Sequence, residues 1–317
     1  MELGYALSSE EHPPLDLVRD ARAAEDAGFG FGLVSDHFHP WTPKQGQSPF
    51  VWSVVAGVAG ATERFRLGTG VTCPLIRIHP AIVAQAAATS EAMMPGRFFL
   101  GVGTGENLNE HVLGDRWPAP DERIEMLEEA IEVIRLLWRG GTQTHRGKHY
   151  TVDHACIYTL PDPPPPIYVA AGAPNAAELA GRAGDGLIAV APDREVVEIF
   201  ERSGGAGKPK VGMTHFCWAQ TEEEGRKTAF EMWPTSGLKG PLNQELALPE
   251  HFAAAAEGVT EEDVADVVPH GPDPGLMLEQ IREFADAGFT HVYVHQIGHD
   301  QQGFLDFAKR ELLPQFS

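Results

Sequence analysis

The sequence predicts a closed α/β barrel of eight parallel strands, each followed by a helix. Short apolar runs alternate with longer segments of helical periodicity, and eight of the short runs have the composition of buried strands. The chain of 317 residues has the length of an ordinary (β/α)8 TIM barrel, and 43% of its residues are hydrophobic. One junction also recurs. A helix closed by glycine leads into a buried strand at 25–36, 183–190 and 285–295.

The first unit shows how each element is assigned. Residues 3–7 form a short apolar run, and the next segment places Leu17, Ala21 and Ala24 on one helical face before Gly28 ends it. The same criteria give the other elements in order. The predicted strands are 3–7, 31–36, 65–72, 98–103, 167–171, 186–190, 210–219 and 291–295. The predicted helices are 15–27, 52–61, 80–94, 121–138, 175–183, 195–203, 222–233, 275–287 and 301–313.

Two segments interrupt this order. Residues 141–160 alternate like a β-hairpin and run into the prolines Pro163–Pro166. Residues 234–274 are rich in Pro, Gly and Ala and are weakly patterned. We therefore expect a single TIM-barrel domain over residues 1–317, with insertions near 141–166 and 234–274.

Composition limits the partners of the protein. A formal net charge of −21 repels nucleic acid and anionic lipid over most of the surface. The sequence has no apolar run near 18 residues and no basic leader, and its three cysteines lack a short metal-binding spacing. We expect a soluble, cytoplasmic protein that binds small molecules, without disulfides, a membrane partner or a nucleic-acid partner.

The most informative stretch is 98–117, FFLGVGTGENLNEHVLGDRW. A predicted strand breaks into Gly101, Gly103 and Gly105, and Glu106 follows. Alternate glycines let a flat ligand approach the backbone. The dinucleotide pattern G-x-G-x-x-G is broken at Glu106, and no Lys-Ser/Thr pair follows to make a P-loop. The alternative is that this stretch binds no ligand and forms only a tight turn before a solvated helix.

Other strand ends carry polar side chains too, and in a barrel these ends meet at one mouth. His37 can exchange a proton near neutral pH, and Asp36 beside it could orient a ligand or tune the histidine. Glu106 could be the complementary acid, and Trp41 offers a flat surface. The pair His37 and His39 also allows a metal site, as in barrel hydrolases, although only His295 and His299 could add histidine ligands from another strand end. We expect no metal.

Motifs along nearly the whole chain resemble one family. They are Ser35-Asp36-His37-Phe38-x-Pro40-Trp41, Gly68-Thr69-x-Val71, 99–110, Ala170-Ala171-Gly172-x-Pro174, 180–186 and Gly298-His299-Asp300-Gln301. Together they resemble the F420-dependent glucose-6-phosphate dehydrogenases, which are bacterial luciferase-like barrels. The resemblance implies coenzyme F420, an 8-hydroxy-5-deazaflavin, and hydride transfer between C5 of its ring and an alcohol or carbonyl carbon. We also expect a homodimer.

The resemblance assigns roles to individual residues. It implies that His37 is the base on the substrate hydroxyl, that Glu106 donates a proton to the deazaflavin, and that Trp41 stabilises the intermediate. It also implies a cis peptide between Gly70 and Val71, behind the ring. The expected cofactor-binding residues are Asp36, Gly70, Val71, Thr104, Gly105, Asn109, Ala171, Gly172 and Ala173.

Departures from the family pattern concern the substrate. Asp193 stands near the position where the sugar-phosphate enzymes have a lysine, and residues 248–268 contain neither lysine nor arginine. We therefore expect that glucose 6-phosphate is not the substrate, unless Arg194 or Lys239 supplies the phosphate site. The alternatives are an FMN-dependent monooxygenase of the same superfamily, a metal-dependent barrel hydrolase and a non-catalytic binding protein.

Overall fold

The computed structural model describes residues 1–238 and 240–316, and eight of its strands close a barrel. The strands, numbered along the chain, are β1 Glu2–Leu7, β2 Phe31–Val34, β3 Arg66–Thr69, β4 Phe98–Val102, β5 Gln143–Arg146, β6 Thr151–Ala155, β7 Ile167–Ala170, β8 Gly186–Ala189, β9 Lys210–Phe216 and β10 His291–Gln296. The barrel order is β1-β10-β9-β8-β7-β4-β3-β2, and every pair in it is parallel. The predicted TIM barrel is confirmed.

Helices separate the strands. They are α1 Pro14–Ala27, α2 Val51–Ala61, α3 Pro80–Met93, α4 Asn107–Glu110, α5 Pro120–Leu137, α6 Pro174–Ala183, α7 Arg194–Phe200, α8 Glu222–Met232, α9 Leu242–Glu245, α10 Pro249–Ala255, α11 Glu261–Ala265, α12 Pro274–Ala287 and α13 Gln301–Phe307. Gly28 ends α1 with φ 117° and Gly288 ends α12 with φ 100°, because glycine enters the left-handed region without a Cβ clash. In the described part of the chain, no helix has the length and apolar character needed to cross a membrane.

Both faces of the barrel sheet are buried. The outer face packs on the helices in one large core, while the inner face fills the barrel with its own cluster. The buried members of the inner cluster are Phe31, Leu33, Phe99, Ile188, Val211 and Tyr293. These side chains fill the interior of the barrel, so we expect ligands to bind at the carboxyl ends of the strands.

The two interruptions have different structures. Strands β5 and β6 form the expected antiparallel hairpin. The second segment, weakly patterned in sequence, holds the three short helices α9 to α11. A separate apolar cluster holds this segment over the ends of β9 and β10. It includes Cys217, Trp233, Val264 and Ile297, and Trp41 packs against it.

Several strands are shorter than predicted. Strand β2 ends at Val34 rather than at 36, β3 spans Arg66–Thr69 rather than 65–72, and β9 ends at Phe216 rather than at 219. The residues beyond these ends leave the ladder to form the mouth. Their side chains bond one another across the loops, and local hydrophobicity does not report such contacts.

Candidate active site

The residues predicted to form the site follow the carboxyl ends of four neighbouring strands, β2, β3, β4 and β7. We call this half of the mouth the glycine sector. It holds His37, Trp41 and Glu106 together with all nine expected cofactor-binding residues. The other half, formed by β1, β10, β9 and β8, is called the polar sector. No catalytic or cofactor-binding residue was predicted there.

Glycines allow tight packing beneath the floor of the glycine sector and leave open space beside one of its loops. A Cβ on Gly103 would lie 2.7 Å from Cγ2 of Val71 and 3.3 Å from Cβ of Ala170, and one on Gly70 would lie 2.9 Å from Cβ of Leu33. At Gly172 a Cβ would meet nothing within 4 Å, so its backbone borders open space. The expected cis peptide between Gly70 and Val71 is present. This floor suits a flat ring that lies against backbone.

Asp36 braces the loops of this sector. Thr72 Oγ1 donates a hydrogen bond of 2.8 Å to Oδ2 of Asp36, and Arg77 Nη2 lies 2.8 Å from Oδ1. Arg77 Nε also lies 3.4 Å from Oε1 of Glu110, and all three charged side chains are buried. The suggestion that the Asp36 carboxylate tunes His37 is therefore wrong, because the carboxylate is bonded to Thr72 and Arg77.

Burial shifts the pKa values of this brace. It lowers the pKa of the Arg77 guanidinium, but the carboxylates of Asp36 and Glu110 outweigh that effect and the net shift is upward. For Glu110, burial raises the pKa and the bonds from Arg77 only partly oppose it. The single cation thus holds two buried carboxylates together under the mouth.

His37 faces a carboxylate that sequence reasoning missed. Its Nε2 lies 3.3 Å from Oε1 of Glu10, in the loop after β1, and the side chains are only 10% and 4% exposed. The other carboxylate oxygen of Glu10 accepts hydrogen bonds from Ser8 Oγ at 3.0 Å and from Ser35 Oγ at 2.7 Å. The only sequence signal was a run of polar residues, 8–12, placed directly after the first strand.

The bonding pattern places the protons of this pair. Nδ1 of His37 lies 3.1 Å from the carbonyl oxygen of His39, which can only accept, so Nδ1 carries a hydrogen. In the neutral ring Nε2 then carries a lone pair, and the Glu10 carboxylate lies 3.3 Å to its side, outside hydrogen-bond geometry. Together Glu10 and His37 form a base, because the carboxylate stabilises the imidazolium that a transferred proton creates.

Trp41 and Glu106 lie on two sides of this base. The Trp41 ring is 5.1 Å from the His37 ring and meets the buried Phe252 of α10 edge-on at 5.3 Å. Oε2 of Glu106 accepts a hydrogen bond of 3.3 Å from Asn109 Nδ2. Oδ1 of Asn109 in turn accepts the backbone N–H groups of Phe38 and His39, which ties the β2 loop to the β4 loop.

The histidines at the mouth do not converge on a metal. Nδ1 of His39 donates to the carbonyl oxygen of Leu108 at 2.9 Å, and Nδ1 of His37 donates to the carbonyl oxygen of His39 at 3.1 Å. Over residues 1–238 and 240–316, no group of three or more His, Cys, Asp or Glu side chains is arranged to hold a metal ion. Nothing in this geometry favours the hydrolase alternative.

The polar sector holds a second carboxylate and histidine system. Glu11 is fully buried; its Oε1 accepts the indole N–H of Trp233, and its Oε2 accepts the backbone N–H of Gly298 at 3.0 Å. His295 Nε2 lies 3.4 Å from Oε1 of Glu11, and His295 Nδ1 lies 2.8 Å from Nδ1 of His215. The sequence pointed to His295 only as a possible metal ligand, and it gave no sign of Glu11 or His215.

The closed barrel, with its candidate site at the carboxyl ends of the strands, agrees with the family match. The family model described as luciferase-like monooxygenase matches residues 1–291, and the chain belongs to this luciferase-like family. Within it the chain groups with F420-dependent dehydrogenases. It is 38% identical to the F420-dependent glucose-6-phosphate dehydrogenase of Nocardia farcinica, over 99% of this chain and 97% of that protein. It is 35% identical to the F420-dependent glucose-6-phosphate dehydrogenase 2 of Rhodococcus jostii, over 99% of this chain and 97% of that protein.

Solved structures agree with this grouping. An F420-dependent secondary alcohol dehydrogenase in complex with an F420-acetone adduct superposes with a TM-score of 0.90, at 29% identity and with 98% of each chain covered. The coenzyme F420-dependent tetrahydromethanopterin reductase from Methanopyrus kandleri has the same fold, with a TM-score of 0.81 at 23% identity, covering 100% of this chain and 99% of that one.

Proposed function

We propose that this protein is an F420-dependent oxidoreductase that transfers a hydride between the deazaflavin and the carbinol carbon of an uncharged alcohol, or the corresponding carbonyl. The observation that carries the proposal is the Glu10–His37 base beside a floor of glycine backbone. A dehydrogenase needs a base, because the hydroxyl proton must leave as the hydride leaves the carbon, and it needs room to hold the cofactor ring beside that base. The F420-dependent relatives support the cofactor.

The glycine sector fits this cofactor. A tricyclic ring needs room against the backbone, and the open space at Gly172 offers it. At Gly70 and Gly103 a Cβ would collide with Leu33 and Val71, so glycine keeps the packing beneath the ring site tight. When bound, F420 supplies the ring carbon that takes up or releases the hydride. We assign ring contacts to Gly70, Val71 and Thr104. The remaining expected contacts are Gly105, Asn109, Ala171, Gly172 and Ala173, and Asp36 holds the loops in place through Thr72 and Arg77.

The catalytic roles follow from the atoms that each residue presents. His37 accepts the substrate hydroxyl proton at Nε2, with Glu10 stabilising the charge. Trp41, packed on Phe252, covers the base and excludes water from it. Glu106 is assigned the proton exchange with the ring, because it is partly exposed beside Gly105 at the start of α4.

Glucose 6-phosphate is the substrate in the names of the relatives, and we propose that it is a poor substrate here. The carboxylate of Asp193 accepts the backbone N–H groups of Glu195 and Val196 as the N-cap of α7. The guanidinium of Arg194 donates to the carbonyl oxygen of Asp286 near the end of α12. Neither side chain offers a free cation for a phosphate dianion. The other candidate, Lys239, lies outside the described residues.

The cofactor assignment is tested by titration. Addition of F420 should quench or shift the tryptophan fluorescence of the protein until the site is saturated. The dissociation constant for F420 should be lower than that for FMN. His37→Ala should reduce alcohol oxidation about 10²–10⁴-fold, the range for a positioned general base, and leave F420 affinity nearly unchanged. His39→Ala is the matched control, because its ring nitrogen bonds only a backbone carbonyl. Tighter binding of FMN than of F420, or a His37→Ala enzyme with more than a tenth of wild-type activity, would defeat the proposal.

A cytoplasmic homodimer is part of the same proposal. Phe50 at the start of α2 and Ile82 on α3 are more than half exposed, and these two helices lie side by side. Exposed large apolar side chains on adjacent helices support an interface between two copies. The free thiols of Cys73, Cys156 and Cys217 support a reducing compartment. Light scattering should give twice the chain mass, and Ile82→Glu should reduce it.

A further inference from the structure

The polar sector contains a histidine pair that the proposed chemistry does not use. His215 and His295 are Cα partners on the adjacent strands β9 and β10. Two residues earlier on each strand, Met213 and Tyr293 belong to the inner cluster of the barrel. Because side chains alternate along a strand, both histidines point into the barrel, one layer nearer the mouth. His295 is 3% exposed, whereas His215 is only partly buried.

Consecutive carboxylates anchor the two histidine systems. Glu10 faces His37, and Glu11 faces His295 at 3.4 Å, so the loop after β1 serves both halves of the mouth. Glu11 is charged: burial raises its pKa, but His295, His12 and the indole of Trp233 outweigh burial and the net shift is downward. This buried negative charge influences which nitrogen of each neighbouring histidine ring carries a hydrogen.

The contacts assign the hydrogens step by step. Among the described residues Nε2 of His295 has no hydrogen-bond partner, but the Glu11 carboxylate 3.4 Å away favours a hydrogen on that nitrogen. With His295 neutral, its Nδ1 is then left as an acceptor. Nδ1 of His215 must then donate across the 2.8 Å contact. In the neutral His215 ring the hydrogen is used there, and Nε2 becomes a lone pair. Within the described part of the chain, Nε2 of His215 has no hydrogen-bond partner, and the residue is only partly buried.

We propose that Nε2 of His215 is a substrate-binding acceptor that receives a hydrogen bond from a second hydroxyl of the substrate, while His37 takes the proton of the reacting hydroxyl. The inference rests on the proposed function and narrows it. The substrate class is an uncharged compound with more than one hydroxyl, such as a diol or a free sugar. An acceptor lone pair backed by a carboxylate repels a phosphate or carboxylate group.

The electrostatics of the pair agree with an acceptor. Burial is the main cause that lowers the pKa of His215 to about 3, which favours the neutral ring. A neutral imidazole gives no cation for an anionic substrate. The position also fits, because His215 packs 5.5 Å from Trp233, which shares an apolar cluster with the Trp41 that covers His37.

Kinetics with matched alcohols test the subsite. Isopropanol and propylene glycol differ by one hydroxyl, and cyclohexanol and free glucose form a second pair with longer reach. With F420 saturating, wild type should prefer the polyhydroxy member of at least one pair by about tenfold or more in kcat/KM, the value of one hydrogen bond to a buried group. His215→Leu should abolish that preference through KM. His215→Gln, which keeps an acceptor oxygen, should retain part of it.

A matched control lies at the other end of β10. His291 Nε2 is also 3.4 Å from a carboxylate, that of Glu2, but at the closed end of the barrel. His291→Leu should leave the preference unchanged. If no alcohol is oxidised with F420, the proposed function fails. If alcohols are oxidised but polyhydroxy and monohydroxy members are equal, or His215→Leu keeps the preference, only the subsite fails.

Nitrogen NMR of histidine-labelled protein gives a readout independent of turnover. His215 should carry hydrogen on Nδ1 and a lone pair on Nε2 at neutral pH, and the preferred polyol should shift the Nε2 resonance in the F420-bound enzyme. His215→Leu identifies the signal. A purely structural ring would show no shift with polyol. Hydrogen on Nε2 of His215, which would make it a donor, would overturn the assignment.

Discussion

Replacing Glu10 by Gln removes the charge that faces His37 while keeping the shape of the side chain. The amide oxygen can still accept the hydroxyls of Ser8 and Ser35, so the loop after β1 should stay folded. What is lost is the stabilisation of the imidazolium. At the observed 3.3 Å, two unit charges interact by about 5 kcal/mol at an effective dielectric constant of about 20.

That energy is an upper limit on the stabilisation lost in Glu10→Gln. The pair retains some exposure to water, and the amide dipole replaces part of the charge. At about 1.4 kcal/mol for each factor of ten, we expect kcat/KM for alcohol oxidation to fall about 10²–10³-fold. The assay is steady-state oxidation followed by loss of F420 absorbance, with F420 affinity measured separately and expected to stay within about twofold.

Ser35→Ala provides a graded control. It removes one hydroxyl from the Glu10 carboxylate and keeps the charge, so kcat/KM should fall less than about tenfold. If Glu10→Gln retains more than a third of the wild-type rate, the carboxylate does not stabilise the proton on His37, and the base would have to act without it.

Three further substitutions test the site and the fold. Arg77→Met should lower the free energy of unfolding by about 3–5 kcal/mol, because it leaves two buried carboxylates without their cation, and Arg77→Lys should recover part of this in urea titrations. Gly103→Ala should weaken F420 binding about tenfold and lower the free energy of unfolding by about 1–3 kcal/mol, since the new Cβ meets Val71 at 2.7 Å. Unchanged F420 affinity would contradict the placement of the ring against this loop. Burial raises the pKa of Asp20 to about 6 from an ordinary 3.8, so its folded form holds the proton more tightly and the ionised form destabilises the fold. Asp20→Asn should therefore stabilise the protein by about 1–2 kcal/mol above pH 6, and the gain should shrink towards zero as the pH falls to about 4; a gain independent of pH would exclude ionisation as the cause.

Local patterns in the sequence were enough to predict the barrel. Apolar runs and helical faces depend on neighbours a few residues apart, so the eight strands and their order along the chain could be read directly. The alternate glycines at 101, 103 and 105 are equally local, and their spacing predicts that a flat ligand can approach the backbone there. The hairpin near 141–160 was found for the same reason.

The partners of the catalytic histidine could not be read that way. Asp36 is its neighbour in sequence and was the natural candidate, yet the fold turns its carboxylate towards Thr72 and Arg77. Glu10 takes that place because β1 and β2 pair in the barrel, which brings the loop after β1 beside the loop after β2. No periodicity marks residues 8–12, because a loop carries no repeating pattern.

The polar sector depends on closure of the barrel itself. Glu11 meets His295 only because β1, the first strand, pairs with β10, the last. His295 reaches His215 only because β10 also pairs with β9 in the register that sets the two residues opposite each other. The sequence determined which residues could carry protons and where flat ligands could lie. The tertiary structure decided which proton carriers meet, because hydrogen bonds between residues hundreds of positions apart exist only once the sheet has closed.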